Sequence, residues 1–166
     1  LEKKVAELIN TQVNKNLLAY LYLDFANYYK DAELNGFSNW YQVQAQEERD
    51  HAMLFIQYLQ NNGEKITLEA IAKPDKVFED FRGPLTAGLE HENYVTGLSM
   101  IFMTPRTLQG FPHHAVLDWF VKEQGEEEKT AEDMIKDGLY GDDAKGLYML
   151  NSELAGRTYA APSLVL

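Results

Sequence analysis

Glu48 and His51 stand three residues apart in the run Gln46-Glu47-Glu48-Arg49-Asp50-His51. On a helix that spacing puts a carboxylate and an imidazole on one face, where both can reach the same cation. Read alone, the same four residues also fit an acidic, solvated turn. The distinction depends on whether other helices bring ligand-bearing side chains to the same depth.

The composition admits such helices. The chain has 166 residues, 45% of them hydrophobic and 25% charged, so a single domain spanning 1–166 with a sizeable core is expected. A net charge of −11 argues against nucleic acid or an anionic membrane as partner and favours cations as ligands. With no cysteine, the chain can form neither disulfides nor thiolate zinc sites, and it has no thiol nucleophile. No stretch approaches the ~18 apolar residues of a membrane span. Leu1 to Glu7 opens an amphipathic pattern rather than the apolar run of a signal peptide, so a cytoplasmic protein is expected.

Apolar residues recur at three and four from Val5 through Leu8, Ile9 and Val13 to Leu18, Leu21, Tyr22, Phe25 and Tyr28, which predicts a first long helix over residues 1–33. Asn35-Gly36 is expected to end it, and a second helix follows over 37–60, stopped by Asn61-Asn62-Gly63. Residues 64–76 lack a helical period and contain Pro74; a connection that long reads as a crossover along a bundle. A third helix begins near Phe78 or Pro84 and ends at Thr104 before Pro105. A loop follows to Pro112, then a fourth helix over 113–137. Gly138 and Gly141 separate it from a short fifth helix over 143–154. The expected fold is all-α: an antiparallel four-helix bundle with one long crossover between the second and third helices and a short C-terminal fifth helix.

The apolar stripes of three helices are interrupted by carboxylates. The second helix reads Phe37, Trp40, Gln44, Glu48, His51, Phe55, Tyr58; the third reads Leu85, Leu89, Glu92, Thr96, Ser99, Met103; the fourth reads Leu117, Phe120, Gln124, Glu127, Ala131, Met134. A buried charge without a partner costs several kcal/mol or takes up a proton. A shared cation is the simplest compensation, and carboxylates with one imidazole and one amide suit iron or manganese better than zinc. A second acidic set, Glu47, Glu123 and Glu126, flanks the first and could serve a further cation; without the inner group it would read as an exposed acidic turn. Tyr22 and Trp119 could supply electrons near such a site, although aromatics at helical spacing are commonly core. His113-His114 reads as an exposed loop end, with metal binding or a channel wall as the functional alternative.

These pieces together resemble the non-haem bacterial ferritins along nearly the whole chain. The resemblance rests on Tyr20-Leu21-Tyr22-Leu23, Ala45-Gln46-Glu47-Glu48 with His51-Ala52-Met53, His91-Glu92, and Trp119-Phe120-Val121 followed by Glu123-Gln124-Gly125-Glu126-Glu127-Glu128. It implies a ferroxidase centre in which Glu48 bridges two irons, His51 and Gln124 serve the first, Glu92 and Glu127 the second, and Glu47, Glu123 and Glu126 a third nearby. It also implies a homo-oligomeric shell of twenty-four subunits that takes Fe(II) and oxygen or peroxide and stores ferric mineral. No haem is expected, because Arg49 occupies the place of the haem methionine of the bacterioferritins.

One departure from that family stands out. Its members carry a glutamate ligand on the first helix, and no carboxylate lies here between Glu7 and Asp24. Counting back from Tyr22 reaches Lys15, whereas counting forward along the upstream pattern reaches Asn16. The apolar stripe slips by one residue at the same place. An ammonium there would repel iron and an amide would bind it weakly. Two alternatives to a ferritin with a working ferroxidase centre follow: a shell subunit that nucleates mineral with an impaired centre, and a rubrerythrin-like di-iron peroxidase. The last is weakened by Gln124-x-x-Glu127 where a second Glu-x-x-His would stand.

Overall fold

In the computed structural model, which describes residues 3–100 and 114–166, every regular element is helical. The elements are α1 (Lys3–Leu17), α2 (Tyr20–Asp31), α3 (Asn35–Asn61), α4 (Arg82–Met100), α5 (His114–Gly138), a 3₁₀ turn (Leu139–Asp142) and α6 (Ala144–Leu154). Helices α1 and α2 both pack on α3, α4 packs on α5, and α6 packs on α3. Residues 64–78, between α3 and α4, carry no regular structure. Two asparagines one turn apart on α1 hold this crossover: the Thr67 amide donates to Asn10 Oδ1 (2.9 Å) and the Glu69 amide to Asn14 Oδ1 (2.8 Å). The expected bundle, crossover and fifth helix are all present. Among the described residues no helix is long and apolar enough to cross a membrane. The loop 105–112, the end of the third helix at Thr104 and His113 lie outside the described residues.

Two boundaries differ from expectation. The first long helix is not continuous. Between α1 and α2 the backbone tightens into i→i+3 bonds, from the amides of Leu18 to Lys15 O (3.1 Å), Ala19 to Asn16 O (3.0 Å), Leu21 to Leu18 O (2.8 Å) and Tyr22 to Ala19 O (2.8 Å). On an unbroken α-helix Val13 and Tyr22, nine residues apart, would point about 180° apart. A 3₁₀ turn advances about 120° per residue instead of about 100°, so the steps Asn16, Ala19, Tyr22 stay on one face. All three are buried, as Val13 is. Overwinding therefore absorbs the one-residue slip, and the inward residue is Asn16, while the Lys15 ammonium lies over the ring of Tyr94.

The second difference is at Asn35-Gly36, which opens α3 instead of ending α2. The left-handed residue is Glu33 (φ 60°). Gly36 is required for another reason: its amide donates to Asn151 Oδ1 (2.8 Å), and a Cβ on it would lie 1.7 Å from the Asn151 carbonyl oxygen. Glycine lets the start of α3 and the end of α6 touch backbone to backbone. At the other end of α3 the expected stop holds, with Gly63 at φ 75°.

The core forms two apolar clusters. One gathers Val5, Ile9, Val13, Phe55, Val95, Leu117 and Phe120; the other gathers Tyr22, Phe25, Tyr29, Phe37, Tyr41, Leu85 and Met134. In each long helix the residues between the two clusters are polar and largely buried: Gln12 and Asn16, then Gln44, Glu48 and His51, then His91 and Glu92, then Gln124 and Glu127. The bundle thus encloses a polar layer between apolar ends. Replacing Gly36 by alanine should push α6 off α3 and lower stability by about 1–3 kcal/mol. Denaturant unfolding of Gly36→Ala against the parent checks this.

Candidate metal centre

The polar layer contains a group of ligand atoms, several of them without a hydrogen-bond partner among the described residues. Atoms of Glu48, His51 and Glu127 all lie within 4.8 Å of one another. His51 Nδ1 is 3.8 Å from Glu48 Oε2 and 3.9 Å from Glu127 Oε1, too far for hydrogen bonds. Glu48 Oε2, His51 Nδ1 and Glu127 Oε2 are buried with no hydrogen-bond partner among the described residues. Leaving several such atoms unpaired in one place costs more than a folded chain ordinarily tolerates, unless a cation or protons join them. The donor set of two carboxylates and one imidazole fits a divalent transition metal.

Across the layer, Glu92 is held by two donors. The Tyr22 hydroxyl donates to Glu92 Oε1, and Gln124 Nε2 donates to Glu92 Oε2 (2.6 Å). Gln124 Oε1 remains buried and without a hydrogen-bond partner among the described residues. Gln44 Nε2 donates to Glu48 Oε1 (3.1 Å) and to Glu127 Oε1 (3.4 Å). The side chains therefore group as Glu48 with His51 and Glu127, and Glu92 with Gln124 and Tyr22.

Burial makes these carboxyls weak acids. Desolvation, with the charge of Glu92 added to it, pushes the Glu48 carboxyl up to about 8. Glu127 is raised well above the carboxylate range by burial and then by Glu48. Burial raises Glu92 as well, opposed by the bonds from Tyr22 and Gln124 that favour its anion. The Tyr22 phenol is raised well above its usual value by burial, then by Glu92 and Glu48. His91, packed edge-on to the Tyr22 ring at 5.5 Å, is lowered to about 4 by burial and then by Lys15, so it is neutral. A cation entering the centre would displace protons rather than other cations.

Glu47, Glu123 and Glu126 line a cavity of about 380 Å³ whose wall also includes Tyr22, Gln44, Glu92 and Glu127. Two of the inner glutamates, Glu92 and Glu127, thus face one space with the outer acidic residues, while Glu48 and His51 lie outside its lining. The Glu47 carboxylate is bound by the guanidinium of Arg157 (2.6 Å), a residue that the helical patterns did not point to. Arg157 is the only charged residue between Glu153 and the last residue, and it follows α6 in a segment without periodicity. Trp119 packs edge-on to His51 with ring centres 5.6 Å apart and donates to Ser163 Oγ.

The match extends to known proteins. A family profile for the ferritin-like domain matches residues 6–138. The chain belongs to the ferritin family. The bacterial non-haem ferritin of Staphylococcus haemolyticus is 35% identical over 96% of this chain and 98% of its own length. That of Campylobacter jejuni is 30% identical over 90% of this chain and 91% of its own. Among solved structures, a humanised archaeal ferritin aligns over 96% of this chain and 99% of its own with a TM-score of 0.88 at 36% identity. An open-pore ferritin of Archaeoglobus fulgidus aligns over 95% of this chain and 99% of its own with a TM-score of 0.86 at 34% identity.

Every inner residue singled out in the sequence lies in the polar layer of this ferritin-family bundle, and all three outer ones line the adjoining cavity. From α1 the layer receives an amide instead of a carboxylate. Asn16 accepts from Gln12 Nε2 (2.8 Å), and its own Nδ2 has no partner among the described residues.

The raised carboxyls fix a pH dependence. A native carboxyl near 8 keeps its proton where the unfolded chain, near 4.5, has lost it. Protein stripped by chelator should therefore lose stability as pH rises from 4.5 to 8, with little further change from this group above that. Denaturant midpoints across that range should show a shallower slope in Glu48→Gln, and at the upper end that variant should be more stable than the parent by roughly 1–3 kcal/mol. An unchanged slope would show that Glu48 is ionised throughout.

Proposed function

We propose that this protein stores iron, oxidising Fe(II) to Fe(III) at the intrabundle centre and depositing ferric mineral inside a hollow shell of twenty-four subunits. The observation that carries the reading is the convergence of unpartnered Glu48, His51 and Glu127 atoms in a buried layer of a ferritin-family bundle. Glu48 is the bridging ligand, with His51 and Gln124 serving the first iron and Glu92 and Glu127 the second. Gln124 Oε1, with no hydrogen-bond partner among the described residues, is open to such a role. Iron here is substrate: it enters, gives up an electron and leaves as Fe(III), with oxygen or peroxide as acceptor.

Tyr22 has a redox role in this reading. Its phenol is already hydrogen-bonded to a ligand carboxylate, and its raised pKa prevents it from releasing a proton alone. An electron leaving the ring would go together with transfer of the phenolic proton to Glu92. The acidic net charge favours cation entry and disfavours nucleic acid and anionic membrane as partners. The reading takes the shell to be cytoplasmic and free of haem.

A second reading keeps the shell but gives it an impaired centre that mainly nucleates mineral. Asn16 favours it, because the only oxygen of that side chain already accepts from Gln12. Anaerobic loading with Fe(II) followed by oxygen, with absorbance read in the near ultraviolet, separates the two. A working centre gives rapid oxidation that falls at least about 100-fold in Glu48→Ala. A rate indifferent to Glu48→Ala supports the nucleating shell.

Restoring the carboxylate in Asn16→Glu should tighten the first iron and speed oxidation several-fold, checked by Fe(II) titration and the same absorbance. Native mass tests the shell itself. Twenty-four chains of 19.0 kDa are expected, and a stable dimer would overturn storage.

A further inference from the structure

The segment that follows α6 runs beside α3 toward its C-terminal end. Asn39 donates to Arg157 O (2.9 Å), the Tyr159 hydroxyl donates to Asp50, and Gln57 donates to Leu166 O (3.2 Å). On the way, the Ala160 amide donates to Glu47 Oε1 (3.3 Å), and Ser163 accepts from Trp119 of α5. This strap brings Arg157 into the wall of the cavity shared by the outer and inner carboxylates.

The guanidinium makes three hydrogen bonds there. It donates to Glu47 Oε2 (2.6 Å), Gln44 Oε1 (2.9 Å) and the Trp40 carbonyl (3.3 Å), and it lies 4.1 Å from the centre of the Trp40 ring. Because guanidinium only donates, Gln44 must turn its oxygen to Arg157, which sends its nitrogen toward Glu48 and Glu127. Five glutamates line the cavity (Glu47, Glu92, Glu123, Glu126 and Glu127), and Arg157 is the cation among its lining side chains. Glu127, whose buried Oε2 has no hydrogen-bond partner among the described residues, belongs to the same wall. Glu47 and Arg157 are each about four-fifths buried, so the charge pair is only weakly screened by solvent.

We propose that Arg157 is a tethered counter-cation that occupies the outer carboxylate Glu47, so that a divalent ion binds there only by displacing the guanidinium and with it the hold of the C-terminal strap on Gln44. The assignment rests on the iron reading above and adds to it a residue that limits the third ion. A divalent charge at Glu47 and a guanidinium on the same carboxylate repel each other in a poorly screened site. Loading of the outer position and attachment of the strap at Arg157 are therefore competing states, and the Trp40 ring reports which one is present.

Zinc is a suitable probe because it is divalent, redox-inert and does not quench tryptophan. The chain has two tryptophans, so Trp119→Phe leaves Trp40 as the only indole, read by excitation at the red edge where the tyrosines do not absorb. Calorimetric Zn(II) titration of the assembled protein, with Trp40 emission followed in parallel, should show two tight equivalents per subunit without an emission change. A weaker third equivalent should shift the emission. In Arg157→Gln the third ion should bind at least about 10-fold more tightly. Arg157→Lys, which keeps the charge, should stay close to the parent.

Equal third-ion affinity in the parent and Arg157→Gln overturns the proposal. So does a lysine variant that behaves like glutamine, or a third ion that leaves Trp40 emission unchanged. Absence of the two tight equivalents in every protein would instead overturn the metal centre itself, and this assignment with it.

Discussion

Burial of carboxyl groups between two apolar clusters is the constraint on which the rest of this structure depends. Glu48 and Glu92 are almost wholly enclosed, and Glu127 nearly so. The aromatic cluster at one end and the aliphatic and phenylalanine cluster at the other keep water from solvating them. Such a layer does not stabilise the bundle; the clusters on either side do, and the layer detracts from what they contribute. Its geometry survives because each polar side chain leaves a long helix whose position is fixed by apolar neighbours one turn above and below. Gln44, Gln124 and Tyr22 then orient the carboxylates by hydrogen bonds, and Glu48 Oε2 and Glu127 Oε2 stay buried without a partner among the described residues.

The same constraint explains the broken first helix. A chain whose apolar stripe slips by one residue near Leu17 could keep either its upstream or its downstream apolar face inward on a regular helix, not both. Overwinding between Lys15 and Tyr22 preserves both at the cost of poorer hydrogen-bond geometry. It also decides which residue meets the layer. Asn16 enters as a neutral amide, and Lys15 turns toward Tyr94, where its charge is felt at His91 instead of among the ligands. An ammonium inside the layer would have paired with the carboxylates and closed the centre to cations.

What was legible in the sequence follows from which interactions are local. Glu48, His51, Glu92, Gln124 and Glu127 could be picked out because helical spacing sets each in the middle of an otherwise apolar stripe. The slip near Leu17 was visible for the same reason, as a change of stripe phase, although not its 3₁₀ remedy. Asn35-Gly36 misled because local preference reads it as a stop, whereas Gly36 is there to receive Asn151, 115 residues away. Arg157 left no signal of its own. It belongs to no stripe, and its partners Trp40, Gln44 and Glu47 are more than a hundred residues upstream.

Two neighbouring acidic sets are thus kept by different means. The inner carboxyls are desolvated enough to hold protons near neutrality, so a cation entering among them exchanges with protons and its binding weakens as pH falls. Glu47 is satisfied by a guanidinium that stays charged at any pH the fold survives, so exchange there is cation for cation. The order in which the two sets fill is a property of how each is neutralised, and the Gln44 amide, bonded to Arg157 through its oxygen and to Glu48 and Glu127 through its nitrogen, is the side chain through which one set feels the other.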